Sequence, residues 1–197
     1  MQMNEKEAEN VLKYFFEAGQ LRFVKHSGWW IAKVRDPLSV AEHSYRTAVI
    51  AYVLAKLEGA EKPARIAVKA LFHDVHETRL LDRHKIASNY LKTPPEVERK
   101  AEGDQCALLG KEVGGELLEL LQGEEDKEIL KDADYLEMAI SGREYYDVGY
   151  KDAWDWIERV SQVLKTKTAK QLCELLKKTD SSNWWKGLKE DTAKLKY

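Results

Sequence analysis

The feature that most constrains the fold of this chain is the spacing of its apolar residues, which follows the helical period almost throughout. Apolar side chains recur every three or four residues, beginning with the segment from Val11 to Phe16, and no segment alternates with the two-residue period of a strand. Glycine and proline, which interrupt helices, account for only 11 and 4 of the 197 residues. The sequence therefore predicts an all-α protein.

Capping residues indicate where the helices begin and end. Asn4 can cap the first helix, and Ser39 and Glu42 have the spacing of a capping box, in which each side chain accepts a hydrogen bond from the other residue's backbone N–H. Thr93 and Glu96 have the same spacing and predict a second capping box. Helices are predicted over about residues 4–19, 39–59, 63–77, 96–121, 126–142, 152–178 and 183–195.

Composition limits the partners and the location of the protein. Lys and Arg number 32 and Asp and Glu 34, a formal charge of −2, whereas nucleic-acid-binding proteins usually carry a basic surplus, so we expect no nucleic-acid partner. No apolar run approaches the roughly 20 residues of a membrane helix, and the N-terminal segment lacks the apolar core of a signal peptide. Cys106 and Cys173 are too few for a disulfide framework and suit reduced thiols. We therefore expect a cytoplasmic protein without membrane association.

The domain organisation follows from what the sequence lacks. It contains no internal repeat, no low-complexity tract and no Gly/Ser linker. Residues 1–197 are therefore expected to form a single domain.

The histidines are clustered, since all five lie within the first 84 residues, at positions 26, 43, 73, 76 and 84. In the helix that Ser39 opens, His43 shares its stripe with Thr47 and Leu54, so its side chain is expected to face the core. Histidine is the commonest metal ligand and the residue that titrates near neutral pH, which makes an inward-facing histidine a candidate functional residue.

The next predicted helix, residues 63–77, brings further polar side chains toward the core. Asp74 is expected to project from its apolar face, and His73 and Glu77, four residues apart, are expected to stack on the flank of that face. His76 is expected on the polar side with Arg65. A buried carboxylate needs a partner, and a divalent metal ion could be that partner. Hydrogen-bonded core histidines and a buried ion pair are the alternative interpretation.

These residues also form the pattern H…HD…D, and the sequence around them resembles the HD-domain metal-dependent phosphohydrolases. The segment from Asp36 to Ser44 is similar to the first-histidine segment of the HD-domain 5′-nucleotidases, which act on deoxyribonucleoside monophosphates. The segment from Phe72 to Glu77, followed by Asp82, is similar to their second motif, and Lys131 to Glu137 to their last. The resemblance extends over roughly residues 9–150.

The resemblance implies a fold and a metal site. The expected fold is an HD-domain helical bundle with additional C-terminal helices, in which residues 21–142 hold the metal site and residues 150–197 pack on it or on a partner subunit of a homodimer or higher oligomer. One divalent ion per chain (Mn, Co, Ni, Fe or Zn) is expected, held by His43, His73, Asp74 and Asp134. Periodicity does not separate Asp132 from Asp134; the resemblance selects Asp134, and Asp132 is expected on a solvated face.

The resemblance also implies roles for other side chains, each with an alternative. Glu77 resembles the catalytic glutamate, or it supports a ligand histidine. Asp82 resembles a residue that contacts the sugar 3′-hydroxyl, or it shapes a turn. Trp29 matches a tryptophan beside the sugar, or it packs in the core. Bacterial enzymes of this type have an arginine where this chain has Gly28, and the candidates to replace its charge are the nearby basic residues Lys25, His26 and Lys33.

The function implied by the resemblance is hydrolysis of (deoxy)nucleoside 5′-monophosphates to nucleoside and phosphate. Two alternatives remain open from the sequence. One is hydrolysis of a nucleoside triphosphate or a cyclic nucleotide on the same scaffold. The other is a non-catalytic nucleotide sensor whose metal site is empty or structural.

Overall fold

The computed structural model describes residues 3–192, and α-helices account for most of them. Apart from an isolated antiparallel bridge between Lys25 and Ser39, the described part of the chain contains no strand pairing. The predicted all-α class is confirmed. The helices are α1 (Glu5–Ala18), α2 (Gly28–Ile31), α3 (Val40–Leu57), α4 (Pro63–Phe72), α5 (Glu77–Leu80), α6 (Lys85–Ser88), α7 (Pro95–Cys106), α8 (Lys111–Gln122), α9 (Lys127–Asp147), α10 (Trp154–Val163), α11 (Lys167–Leu176) and α12 (Asn183–Thr192).

Two of the three predicted caps are confirmed. The Asn4 side chain accepts a hydrogen bond from the backbone of Glu7 at 2.9 Å, which opens α1. The Ser39–Glu42 capping box opens α3, with the Glu42 carboxylate 2.6 Å from the Ser39 backbone nitrogen. The box predicted at Thr93 is wrong, because α7 begins after Pro94, which has no side-chain donor or acceptor.

Two predicted helices are each divided into two. The predicted helix 96–121 is interrupted at Gly110, whose φ of 80° lies in the left-handed region that glycine adopts without strain. The predicted helix 152–178 is interrupted after Leu164, and the Thr166 side chain accepts a hydrogen bond from the Ala169 backbone to begin α11. The break after Leu164 lets both α10 and α11 pack against α9.

The core lies between α3, α4 and α9. Small side chains at the contact let these helices approach closely, and Ala51, Ala55, Ala70 and Ala133 are all completely buried. On the other side of α9, Leu136 and Ala139 pack against Ile157, Val160 and Cys173 of α10 and α11. Among residues 3–192, no helix is both long and apolar enough to cross a membrane.

The predicted solvated position of Asp132 is wrong. Its side chain is fully buried, and its carboxylate accepts hydrogen bonds from the backbone nitrogens of Lys165 and Thr166 and from the Thr166 hydroxyl, at 2.6 to 3.0 Å. The α10–α11 connection covers this side of α9, which a helical projection of α9 alone does not reveal. Asp132 therefore joins the C-terminal helices to the core.

Replacing Asp132 with Ala should lower the free energy of unfolding by about 3 kcal/mol, because it leaves buried N–H groups without an acceptor. The exposed Glu128 on the same helix supplies the matched control, Glu128→Gln, which should change the free energy of unfolding by about 0.5 kcal/mol or less. Denaturant unfolding measures both. Equal stability of Asp132→Ala and the wild-type protein would contradict this account of the C-terminal helices.

Candidate metal centre and active site

The centre of the site is His43, whose side chain is 1% exposed in the first turns of α3. Its Nδ1 lies 2.6 Å from Oε2 of the buried Glu137 on α9, so the ring donates its Nδ1 proton to that carboxylate. The opposite ring nitrogen, Nε2, lies 3.2 Å from Oδ1 of Asp134 and 3.7 Å from Oδ2 of Asp74. The predicted inward orientation of His43 is confirmed.

His73 and Asp74 reach the same point from the end of α4. That helix ends at Phe72, and the following turn directs both side chains toward α3 and α9. His73 donates its Nδ1 proton to the backbone carbonyl of Ala70 at 2.7 Å, while its Nε2 lies 3.0 Å from Oδ2 of Asp74. Both histidines therefore present Nε2 to a pair of carboxylates. The structure brings the four proposed ligands His43, His73, Asp74 and Asp134 together.

These donor atoms fit a divalent cation. Ligand atoms at about 2.1 Å from one ion lie about 3.0 to 3.4 Å from each other in tetrahedral or octahedral geometry. Three of the distances here are 3.0, 3.2 and 3.7 Å. In each histidine the other nitrogen is held by a carboxylate or a carbonyl, an arrangement that fixes the ring and leaves Nε2 free to ligate. Two imidazoles and two carboxylates suit a transition metal or zinc.

The charges within the cluster shift the pKa values of its histidines and carboxylates. Burial alone would lower the pKa of His43, but hydrogen bonds with Asp134 and Glu137 raise it well above its usual value. Burial also opposes the charge of His73, and the Asp74 carboxylate raises the pKa of that ring. Burial would raise the pKa of Asp74, yet the charge of His73 brings it below its usual range. The carboxylates thus favour positive charge on both imidazole rings.

Glu137 is a functional residue that sequence reasoning missed. Besides His43, it contacts the guanidinium of Arg46 at 2.8 Å and accepts a hydrogen bond from the Ser141 hydroxyl at 2.8 Å. Burial would raise the pKa of Glu137, but the hydrogen bond and charge of His43, together with Arg46, lower it to about 2. Arg46 lies four residues after Glu42, but it pairs with Glu137 and Glu144, while Glu42 is held by the capping box.

Glu77 lies beside this cluster at the start of α5. Its Oε2 atom is buried and has no hydrogen-bond partner among the described residues. Burial raises the pKa of Glu77 to about 9, and the charges of Asp74 and Asp82 act in the same direction. Ligating atoms of Asp74, His76 and Glu77 all lie within 4.8 Å of one another, so the predicted position of His76 on the polar side is wrong. The helical projection failed there because α4 ends at Phe72.

Asp82 and Trp29 lie at a cleft of about 580 Å³ next to the cluster. The Asp82 carboxylate accepts a hydrogen bond from the backbone of Ser27, which fixes the start of the loop that carries Trp29. Trp29 is 1% exposed and stacks on Trp156 at 5.0 Å between ring centres, and it forms part of the cleft wall. The cleft is otherwise lined by side chains of α9 and α10, such as Met138 and Val160, and by the segment that follows Asp82, which includes Arg83 and Lys85.

The loop lysines are directed away from the cleft. Lys33 is exposed, pairs with Asp152 at 2.8 Å and does not line the cleft with Trp29 and Asp82. Lys25 pairs with Asp36 at 2.6 Å. The structure therefore does not bring Lys33 together with the other proposed site residues.

Comparisons with known proteins identify the family. The HD domain family matches residues 18–176. The chain belongs to this family. It is similar to the 5′-deoxynucleotidase HDDC2 of Bos taurus, with 30% identity over 154 residues that cover 76% of this chain and 74% of that protein. It is 31% identical to the 5′-deoxynucleotidase HDDC2 of Dictyostelium discoideum, covering 69% of this chain and 77% of that one.

Solved structures share the same fold. The protein known as genomics APC5600 is 34% identical, with a TM-score of 0.78 over 90% of this chain and 99% of its own. The resemblance to the HD-domain phosphohydrolases expected from the sequence is thus confirmed, and the helical fold of this HD protein is the one that the family uses.

Replacing Glu137 with Gln should weaken metal binding by about 10- to 100-fold, because a neutral amide accepts the Nδ1–H hydrogen bond of His43 more weakly than a carboxylate does. Calorimetric titration of the metal-stripped protein with Mn²⁺ measures the affinity. The matched control is Glu144→Gln, which removes the other carboxylate partner of Arg46 but does not touch His43. If both variants bind Mn²⁺ as tightly as the wild-type protein, Glu137 does not orient a ligand.

Proposed function

We propose that this HD protein is a metal-dependent 5′-nucleotidase that hydrolyses (deoxy)ribonucleoside 5′-monophosphates to nucleoside and phosphate. The observation that carries the proposal is the convergence of two histidines and two carboxylates, with both Nε2 atoms directed at the carboxylates. Relatives named 5′-deoxynucleotidase cover most of the chain at about 30% identity, which supports the same reaction class. The adjacent cleft of about 580 Å³ is large enough for a nucleoside.

One divalent ion per chain, of Mn, Co, Ni, Fe or Zn, is proposed to be held by His43, His73, Asp74 and Asp134. When bound, such an ion neutralises phosphate charge and lowers the pKa of a water molecule. The protein contributes the fixed ligand set: Glu137 holds the tautomer of His43, and the Ala70 carbonyl holds that of His73. The relatives' names and the geometry do not distinguish among these metals, which all accept nitrogen and oxygen ligands.

Glu77 is proposed as the general acid or base. Its partner-free Oε2 lies in a buried position next to Asp74, and burial raises the pKa of the carboxyl group, which favours its protonated form. A proton held there can be donated to the oxygen of the leaving nucleoside. Asp82 and Trp29 are proposed to bound the sugar site at the cleft, Asp82 through its carboxylate and Trp29 through the face it adds to the wall. Lys33 is also proposed as a substrate contact. Its side chain pairs with Asp152, so this contact requires that ion pair to open.

The proposal extends to the organisation of the protein. A single domain is proposed, since α10 and α11 pack directly on α9. A homodimer is proposed on the basis of an apolar groove of about 350 Å³ that Val49, Val53 and Leu175 help to line on the surface. A cytoplasmic location is supported by two free, buried cysteines.

The activity is tested with a panel of ribo- and deoxyribonucleoside monophosphates. Metal-stripped protein should release phosphate only after Mn²⁺, Co²⁺, Ni²⁺, Fe²⁺ or Zn²⁺ is added, and Asp74→Ala should release none, because it removes a ligand. Release of triphosphate or of a linear monophosphate from the corresponding substrates, with no monophosphate hydrolysis, would favour the alternative hydrolases. Absence of all hydrolysis with one metal ion bound per chain would favour the nucleotide sensor.

Replacing Glu77 with Gln should lower kcat by about 10²- to 10⁴-fold, because the amide cannot transfer a proton. Metal affinity should stay within two-fold of wild type, since Glu77 is not one of the four proposed ligands. Steady-state kinetics and calorimetry on the same preparation separate the two quantities. A loss of metal affinity with kcat unchanged at saturating metal would assign Glu77 to support of the ligands instead.

A further inference from the structure

The proposed metal centre faces two clefts, and α9 passes from one to the other. The cleft described above is lined by Tyr135 and Met138 of this helix. A second cleft, of about 340 Å³, is lined by Leu130 and Lys131 one turn earlier and also by the proposed ligands His73 and Asp134. We call these the nucleoside cleft and the phosphate cleft. Asp134 lies on α9 between the residues that line the phosphate cleft and those that line the nucleoside cleft.

The two clefts differ in chemical character. The nucleoside cleft is lined by indole, phenol and aliphatic side chains, which suit a base and a sugar, and also by charged side chains that include Arg83, Lys85 and Arg159. The phosphate cleft has a mixed charged lining in which Lys69, Arg99, Lys127 and Lys131 are the cations and Glu98, Glu102 and Glu124 are among the anions. The indole and phenol groups line the first cleft and the proposed ligands His73 and Asp134 line the second, so a nucleotide fits with its base in the first and its phosphate in the second.

Some of these cations are already engaged. The Lys69 ammonium is bound by the backbone carbonyl of Gly123, and Lys127 pairs with Glu124 at 2.6 Å. Arg99 and Lys131 are exposed, and neither side chain has a hydrogen-bond or ion-pair partner within residues 3–192, but only Lys131 lies on the helix that carries Asp134. Three residues separate Lys131 from Asp134, a spacing that places the two side chains on one face of α9.

We propose that Lys131 is a phosphate-positioning residue, and that the substrate lies along α9 with its phosphate toward Lys131 and its base toward Tyr135 and Met138. This inference rests on the proposed function and adds the orientation of the substrate. A free ammonium beside two metal ligands supplies a charge-assisted hydrogen bond to a phosphate oxygen. It does so at the end of the site opposite the nucleoside cleft.

Gly28 supplies no charge to the site. A Cβ atom at that position would contact the Trp156 indole at 3.8 Å, within the nucleoside cleft. Lys25 and Lys33, which flank it in sequence, are bound to Asp36 and Asp152. The unpaired cation beside the proposed ligands thus lies on α9, whereas the lysines on either side of α2 are held in ion pairs.

The test measures binding of inorganic phosphate to the Mn²⁺-loaded protein by calorimetry, separately from catalysis. Lys131→Ala should weaken phosphate binding by about ten-fold or more, and Lys131→Arg should restore most of it. The matched control, Lys127→Ala, lies one turn away on α9, where Lys127 is paired with Glu124, and should stay within two-fold of wild type. Met138→Ala should weaken binding of deoxyadenosine without changing that of phosphate.

The outcomes separate this inference from the proposed function. Wild-type hydrolysis together with unchanged phosphate affinity in Lys131→Ala would overturn the orientation and leave the nucleotidase intact. A loss of phosphate affinity in His26→Ala but not in Lys131→Ala would also overturn it, since His26 lines the nucleoside cleft. A ten-fold loss specific to Lys131→Ala supports the orientation even if the preferred substrate proves to be another phosphate ester.

Discussion

The buried hydrogen bond between His43 and Glu137 is the interaction on which the rest of the site depends. It joins α3 to α9 inside the core, where neither side chain is more than 1% exposed. Arg46 balances the charge of Glu137 from the rim, so the carboxylate stays ionised although it is buried. Because the bond fixes the His43 ring, Nε2 is directed toward Asp134. This hydrogen bond therefore joins two core helices and orients His43, the first proposed metal ligand.

The convergence of carboxylates explains why the centre suits a cation. Asp74 and Asp134 approach the same two imidazoles, and Glu77 lies close by with one oxygen atom unpartnered. These carboxylates raise the pKa of both His43 and His73, which favours protons on the two rings. A divalent ion replaces those protons when it binds, so metal affinity and pH are linked in a site of this kind.

Local sequence predicts part of this arrangement and tertiary contacts decide the rest. The orientation of His43 was predictable because a capping box and an apolar stripe define α3 without reference to other helices. His76 was misplaced because its projection assumed that the helix continues past Phe72. The contacts of Asp132 and Glu137 could not be predicted, because their partners lie in the α10–α11 connection and on α3, far away in sequence. Charge patterning on one helix could not show which acidic residues are covered.

The most direct test of the metal centre is a crystal structure of the protein soaked in Mn²⁺, with anomalous scattering recorded to locate the ion. The account predicts one strong peak about 2.2 Å from Nε2 of His43, Nε2 of His73 and one carboxylate oxygen each of Asp74 and Asp134. A peak held instead by Asp74, His76 and Glu77, whose ligating atoms also lie within 4.8 Å of one another, would contradict it. So would the absence of any peak between α3, α4 and α9.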